Sequence, residues 1–176
     1  RRFLFVALVA ALAAVAAAPS AYAETTKCTG VLNGGVKLDN VKVPKGATCT
    51  LNGSRVKGNI KVSSDATLIA ANVKVGGNIQ GKDATLIRVN GTSSKVGGDV
   101  QAKEVVDVFL TNVKVGGNVQ LKEGDNATLT NNKVKGDVQL FENFDVLVLN
   151  GNKIGANLQC KENWEDPTGS NNKVKG

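Results

Sequence analysis

Histidine and methionine are both absent from the 176 residues, which include one Trp, one Tyr and five Phe. Without histidine the chain cannot build a His-based triad, and it lacks the commonest metal ligand among side chains. It has no Walker-type phosphate loop, no Cys-x-x-Cys pair and no Gly-x-Ser-x-Gly elbow. Aromatic residues make up 4% of the chain, too few for a base-stacking platform. Arginine is scarce too: beyond Arg1 and Arg2 only Arg55 and Arg88 occur, and every other base is Lys. Bidentate reading of base edges and phosphates mainly uses Arg, so a specific nucleic-acid reader is not expected.

Long apolar runs are missing except at the start. Arg1 and Arg2 precede an almost wholly apolar stretch, Phe3 to Ala18, and Ala21-Tyr22-Ala23 then supplies a small-residue cleavage signal. This is the layout of a secretory signal peptide over residues 1–23, cut before Glu24. The apolar run is shorter than the roughly 20 residues of a spanning helix, so no transmembrane anchor is expected. The lack of an initiator Met reads as a chain already trimmed at its start. The expected location is secreted, extracellular or associated with the cell wall. Without Arg1 and Arg2, 20 Lys and Arg face 15 Asp and Glu, a net charge of +5. That modest, Lys-dominated excess favours anionic partners. The remaining 24–176 read as one domain.

What the chain does contain is a repeat. Val56-Lys57-Gly58-Asn59-Ile60 returns as Val75-Gly76-Gly77-Asn78-Ile79, Val96-Gly97-Gly98-Asp99-Val100 and Val115-Gly116-Gly117-Asn118-Val119. Val134-Lys135-Gly136-Asp137-Val138 and Ile154-Gly155-Ala156-Asn157-Leu158 follow, and the half-copy Val174-Lys175-Gly176 comes last. The glycine position advances by 19, 21, 19, 19, 20 and 20 residues. A unit this short cannot bury its own apolar face, so neighbouring copies must stack. Apolar residues alternate within each block, as in Val115, Gly117, Val119 and Leu121, which is strand periodicity. Polar intervals such as Lys122-Glu123-Gly124-Asp125-Asn126, and pairs such as Asn131-Asn132, read as turns. The predicted fold is an all-β, single-stranded parallel β-solenoid of about seven coils of 19–21 residues. The usual crossover rule makes it right-handed. By parity Gly58, Gly77, Gly98, Gly117 and Gly136 fall on the inward face, with Ala156 as the smallest substitute. The Gly-Gly pairs recur too regularly for a nucleotide loop.

Three columns follow from the stacking. Arg55, Lys74, Lys95, Lys114, Lys133, Lys153 and Lys173 each precede a repeat Val or Ile, and would form one outward basic ladder. It is a candidate track for an anionic cell-wall polymer or acidic polysaccharide, set against the plainer role of keeping the surface soluble. Asp65, Asp83, Glu104, Asp125 and Glu142 are read as a partly compensating row. Asn59, Asn78, Asp99, Asn118, Asp137 and Asn157 form a second column, and Gln80, Gln101, Gln120, Gln139 and Gln159 a third, both read as structural hydrogen-bond ladders. Thr67, Thr85, Thr128 and Thr130 make no sustained Thr-x-Thr row of the kind an ice-binding face needs.

Cys28 and Cys49 lie 21 residues apart, one period, and are expected to form a disulfide between adjacent coils of an exported protein. Cys160 is left over. Gly176 aligns with Ala156, so the match for Cys160 would be residue 180, and a further tail with a fourth Cys is expected. Lys161 to Gly169 departs from the earlier turns and is read as the start of a cap.

The signal peptide, early cysteine pair and Val-x-Gly-Asn-Val repeats resemble small secreted repeat proteins of actinobacteria, a group with no assigned activity. The repeat blocks are also similar to those of bactofilins, parallel β-solenoids that polymerise end to end. The signal peptide and cysteines depart from that cytoplasmic pattern. Neither resemblance supplies catalytic residues, cofactors or metals. The expected function is an extracellular, non-enzymatic solenoid with a structural or adhesive role, a bounded monomer for which the unpaired end strands offer a route to end-to-end assembly. The competing expectation is a carbohydrate-active enzyme, a polysaccharide lyase or hydrolase acting outside the cell. Its candidate carboxylates are Asp99 and Asp137, which two coils would separate.

Overall fold

The computed structural model describes residues 23–176, so the predicted signal peptide, apart from Ala23, lies outside the described residues. Among the described residues no helix is long and apolar enough to cross a membrane. From Thr25 onward the chain runs through 24 short strands arranged as three eight-stranded parallel sheets. Each coil gives one strand to each sheet, and strand order in every sheet follows coil order. This is a β-solenoid of three faces and eight coils. The additional coil is the first, Thr25–Lys27, Val31–Leu32 and Lys37–Leu38, which lacks the Val-x-Gly-x-Val block but pairs with the second coil on all three faces.

The strand sequences explain the layering. Thr67–Ala71 alternates half-exposed Thr67, Ile69 and Ala71 with buried Leu68 and Ala70. In Lys74–Val75 the Lys points out and the Val is buried, and five other third-face strands repeat that pattern. The core is thus built from vertical stacks of Val, Ile, Leu and Ala, and bulk is traded across a corner within a coil. A Cβ added to Gly81 would strike the Cδ1 of Ile87. One coil on, the same two positions hold Ala102 and Val108, and the next holds Leu121 and Ala127. A small residue on one strand makes room for a large one on the next, as close packing demands.

Variation in the period lies in the corners. The 21-residue step comes from Gly91 to Ser94 between Asn90 and Lys95, where the neighbouring coil turns through only Asn72 and Val73. Within Lys161 to Gly169, read from sequence as the start of a cap, Glu162 to Pro167 form a longer corner inside an eighth coil completed by Thr168–Ser170 and Lys173–Val174.

The glycines expected inside are a further correction. Gly58, Gly77, Gly98, Gly117 and Gly136 are half-exposed and lie at the corner where the third face passes into the first. Each sits against the side chain of the coil before: a Cβ on Gly98 would meet the Oδ1 of Asn78, and the others would meet Asn40, Asn59, Asp99 and Asn118 in turn. Those oxygens are held in place because each accepts a hydrogen bond from the next coil. Asn59, Asn78, Asp99, Asn118, Asp137 and Asn157 donate their backbone N–H groups to Asn40, Asn59, Asn78, Asp99, Asn118 and Asp137 at 2.7–2.9 Å. Asn and Asp are interchangeable in this column because only an acceptor oxygen is used. Where Ala156 replaces glycine, its N–H to the Gly136 carbonyl lengthens to 3.3 Å, against 3.0 Å for Gly136 to Gly117.

Two inward Asn ladders escaped the sequence reading. Asn132 and Asn152 are buried, with Nδ2 donating to the Leu110 and Leu129 carbonyls at 2.8 and 2.7 Å. Asn143 does the same at the corner between the first and second faces, to the Leu121 carbonyl at 3.2 Å. Among the described residues no buried side-chain polar atom lacks a partner.

Cys28 and Cys49 form a disulfide with their Cα atoms 5.3 Å apart. They are not register neighbours, since Thr50 pairs with Val31 and the Thr50 N–H reaches Gly30. The bond crosses a corner and ties the first coil to the second. Closing a loop of 21 residues stabilises by about 3 kcal/mol in the chain-entropy picture. Reduction, or Cys28→Ser with Cys49→Ser, should therefore cost about 2–4 kcal/mol. Loss of amide-exchange protection should be confined to residues 25–56; uniform loss along the rod would contradict this. Gly98→Ala should cost about 1–3 kcal/mol, and Asn78→Ala about 1–2 kcal/mol. The double variant should be more stable than the sum of the two costs, because Asn78→Ala vacates the space a Cβ on residue 98 needs. Denaturant melts of the four proteins decide it, and strict additivity would sink the steric account.

Candidate functional site

The third sheet contains strands of only two residues, so each has one inward and one outward side chain. The outward one is always a base. Lys37, Arg55, Lys74, Lys95, Lys114, Lys133, Lys153 and Lys173 are consecutive partners in register, and all are exposed. The structure thus places Arg55, Lys74, Lys95, Lys114, Lys133, Lys153 and Lys173 on one face and adds Lys37. Sequence reading missed Lys37 because Leu38-Asp39-Asn40 does not match the repeat block.

Beside this column runs a row that holds Asp39, Lys57, Gly76, Gly97, Gly116, Lys135, Gly155 and Lys175, joined to the coils below by backbone bonds of 2.8–3.2 Å from Lys57 onward. Where the row is glycine the face has no second side chain, which leaves an open trench along the bases. Arg55, Lys57, Lys74 and Lys95 line one such groove of about 580 Å³ with Gly76 and Gly97. Lys133, Lys135, Lys153, Lys173 and Lys175 line another of about 560 Å³. The extra bases Lys57, Lys135 and Lys175 already stand in the repeat block, directly after its Val, at the position that Gly76, Gly97, Gly116 and Gly155 hold in other copies.

Parallel strands lie about 4.8 Å apart, so bare like charges at that spacing repel by about 0.9 kcal/mol per neighbouring pair in water. The molecule treats its two main lysine columns differently. On the first face, Lys82, Lys103 and Lys122 interleave with Asp83, Glu104, Glu123 and Glu142 at 3.1–4.0 Å. Among the described residues none of the eight third-face column bases takes part in an ion pair within 4.0 Å; the other pairs involve Lys45, Lys57 and Lys161.

The acidic row expected to offset the third-face ladder is therefore matched to a different column. It runs down the corner between the first and second faces, where Asp65, Asp83, Glu104, Glu123, Glu142 and Glu162 share a left-handed backbone with φ of 53–59°. Glu123, not Asp125, is the member from its coil. The Asp125 N–H turns to the Val105 carbonyl.

Gln80, Gln101, Gln120, Gln139 and Gln159 form a continuous ladder on the first face, each Nε2 donating to the next Oε1 at 2.8–3.0 Å. Asp99 and Asp137 belong to the corner column. Their Oδ1 atoms accept the N–H groups of Asn118 and Asn157 at 2.7 and 2.8 Å, and they lie two coils apart. No group of three or more Cys, Asp and Glu suited to a metal ion occurs among the described residues. Cys160 stands over Leu140 on the last coil, exposed, and partial burial pushes its thiol pKa up.

No family model, no curated protein and no solved structure matches this chain. Its parallel β-solenoid architecture is the one that the likeness to bactofilin repeats implies.

Several carboxyls of the rod are shifted. Hydrogen bonds from Lys122 and then Lys103 hold Glu123 below its ordinary value, and one from Lys57 does the same for Asp39. Glu104 moves the other way, raised first by a hydrogen bond with Asp83 and then by desolvation. A lowered carboxyl contributes stability above its unfolded value that is lost as pH falls through the folded one; a raised carboxyl favours the folded chain as it takes up its proton. Glu123→Gln should lower the melting temperature slightly at neutral pH, with the gap to wild type closing from about pH 4.5 downward. Circular-dichroism melts across pH check this, and a gap still open at about pH 2 would refute the ladder's role.

Proposed function

We propose that this chain is an extracellular, non-enzymatic scaffold, structural or adhesive in role, whose third face lies along an anionic cell-wall polymer or acidic polysaccharide. The observation that carries the reading is the contrast between the two lysine columns. One is neutralised by its own acids, while the other presents eight bases in register beside an open trench. A row of cations at strand spacing suits a linear polymer with closely spaced anions better than a compact ligand. Lys rather than Arg suits loose, exchangeable contact.

The Ala-x-Ala signal and the Cys28–Cys49 bond support export to an oxidising compartment. The scaffold reading is favoured over a carbohydrate-active enzyme by the work Asp99 and Asp137 do for the fold, since each gives an oxygen to the coil above.

Binding of the mature chain to immobilised polyuronate or wall teichoic acid, at low and high salt, tests the proposal. Lys95→Gln, Lys114→Gln and Lys133→Gln together should weaken binding about tenfold or more and flatten its salt dependence, with the melting curve kept. Removing the same number of charges through Lys82→Gln, Lys103→Gln and Lys122→Gln should weaken it far less, because those bases already face acids. Equal losses from both triples would mean that only net charge matters. Undiminished binding by the first would end the proposal.

A further inference from the structure

The second face differs from the other two in having almost no charge. Across its eight strands, from Val31–Leu32 to Thr168–Ser170, the only charged residues are Arg88 and Asp107. Its outward positions are Thr, Asn and apolar side chains, among them Ile69, Phe109 and Val148 in one central row. In a rod whose other faces are lined with Lys, a sheet with one cation and one anion, whose middle row is apolar at every second coil, is a surface suited to being covered.

We propose that this face is where two copies of the chain associate, sheet against sheet, with the rods antiparallel about a two-fold axis between the fourth and fifth coils. Size permits it. Five strands of five residues and shorter strands of two, four and three make a face about 17 Å across at its widest and about 34 Å long, or about 550 Å² per copy. A pair would bury about 1,100 Å², just above the roughly 1,000 Å² that a specific interface needs.

Charge placement fixes the axis. Arg88 lies on the fourth coil, and Asp107 and Phe109 on the fifth, paired with it in register. Within one chain the Arg88 guanidinium stands 5.0 Å from the centre of the Phe109 ring. The two-fold would set each Arg88 opposite Phe109 of the partner subunit and beside Asp107 of the partner subunit. The face's one cation and one anion then neutralise each other twice, and neither is buried alone. Moving the axis by half a step, onto the fourth or the fifth coil, would set Arg88 against Arg88 of the partner subunit or Asp107 against Asp107 of the partner subunit. Self-association of this kind leaves both third faces outward.

Sedimentation of the mature chain between about 1 and 100 µM tests the inference. The expected result is a reversible dimer that persists at high salt, unlike polyanion binding, because most of its buried surface is uncharged. Ile69→Lys should weaken dimerisation at least tenfold, with circular dichroism unchanged. Asp107→Arg should weaken it as well, and Arg88→Asp combined with Asp107→Arg should restore it, a recovery that mere loss of fold would not give. A wild-type chain that stays monomeric at about 100 µM overturns the proposal, even if its second face then proves to adhere to an uncharged glycan surface. So does a dimer indifferent to both Ile69→Lys and the charge exchange.

Discussion

In-register parallel stacking is the constraint on which everything else in this molecule rests. Each residue's nearest non-local neighbours are its own counterparts one coil before and one coil after, as the unbroken run of partners from Lys37 to Lys173 shows. A solenoid therefore amplifies every choice of side chain. An apolar residue becomes a core column, an amide becomes a ladder, and a charge becomes a line of like charges. Amides gain from repetition because each has both a donor and an acceptor to offer its copy. Charges do not, so where the chain repeats them it must separate them with acids or tolerate the repulsion.

Both answers appear within one rod. Along the first face Lys27, Lys42 and Lys61 occupy the register that Gln80, Gln101 and Gln120 hold later. The exchange of Lys for Gln comes in the coil where Lys82 begins the acid-paired column beside it. Two adjacent lysine columns on one face are thus avoided. The third face has no such relief, since the acids have gone to the far corner. Its cost is moderated by solvent, as all eight bases are exposed and free to splay.

Much of this was legible in the repeat. The inward stacks, the amide columns and the basic ladder all follow once Val56, Val75, Val96, Val115 and Val134 are set in register, because stacking carries each neighbouring position along with them. What was not legible lies at the corners. Strand parity assigned Gly58 and Gly77 to the core, yet between Val56 and Ile60 the chain turns from one sheet into the next, and alternation does not survive a turn. Asn131-Asn132 looked like a plain turn. In fact Asn131 takes the left-handed backbone while Asn132 folds inward to bond Leu110, a division of labour that the pair's composition does not reveal. Glu123 and Asp125 are both acids in one polar interval, and only the left-handed conformation at Glu123 decides which joins the row.

The corners also explain how a repeat of such regular appearance tolerates steps from 19 to 21 residues. Length changes are absorbed where a side chain can replace a lost backbone bond. Asn132 accepts the Val113 N–H, and Asn143 accepts the Gly124 N–H, at two of the three corners. In the fourth coil Ser94 meets the same need, its hydroxyl accepting from the Val73 N–H and donating to the Asn90 carbonyl. Because each substitution is settled between adjacent coils, one coil can change its corner chemistry without disturbing the register of the faces. The faces can then carry columns suited to binding or docking, while the corners keep the polar backbone satisfied.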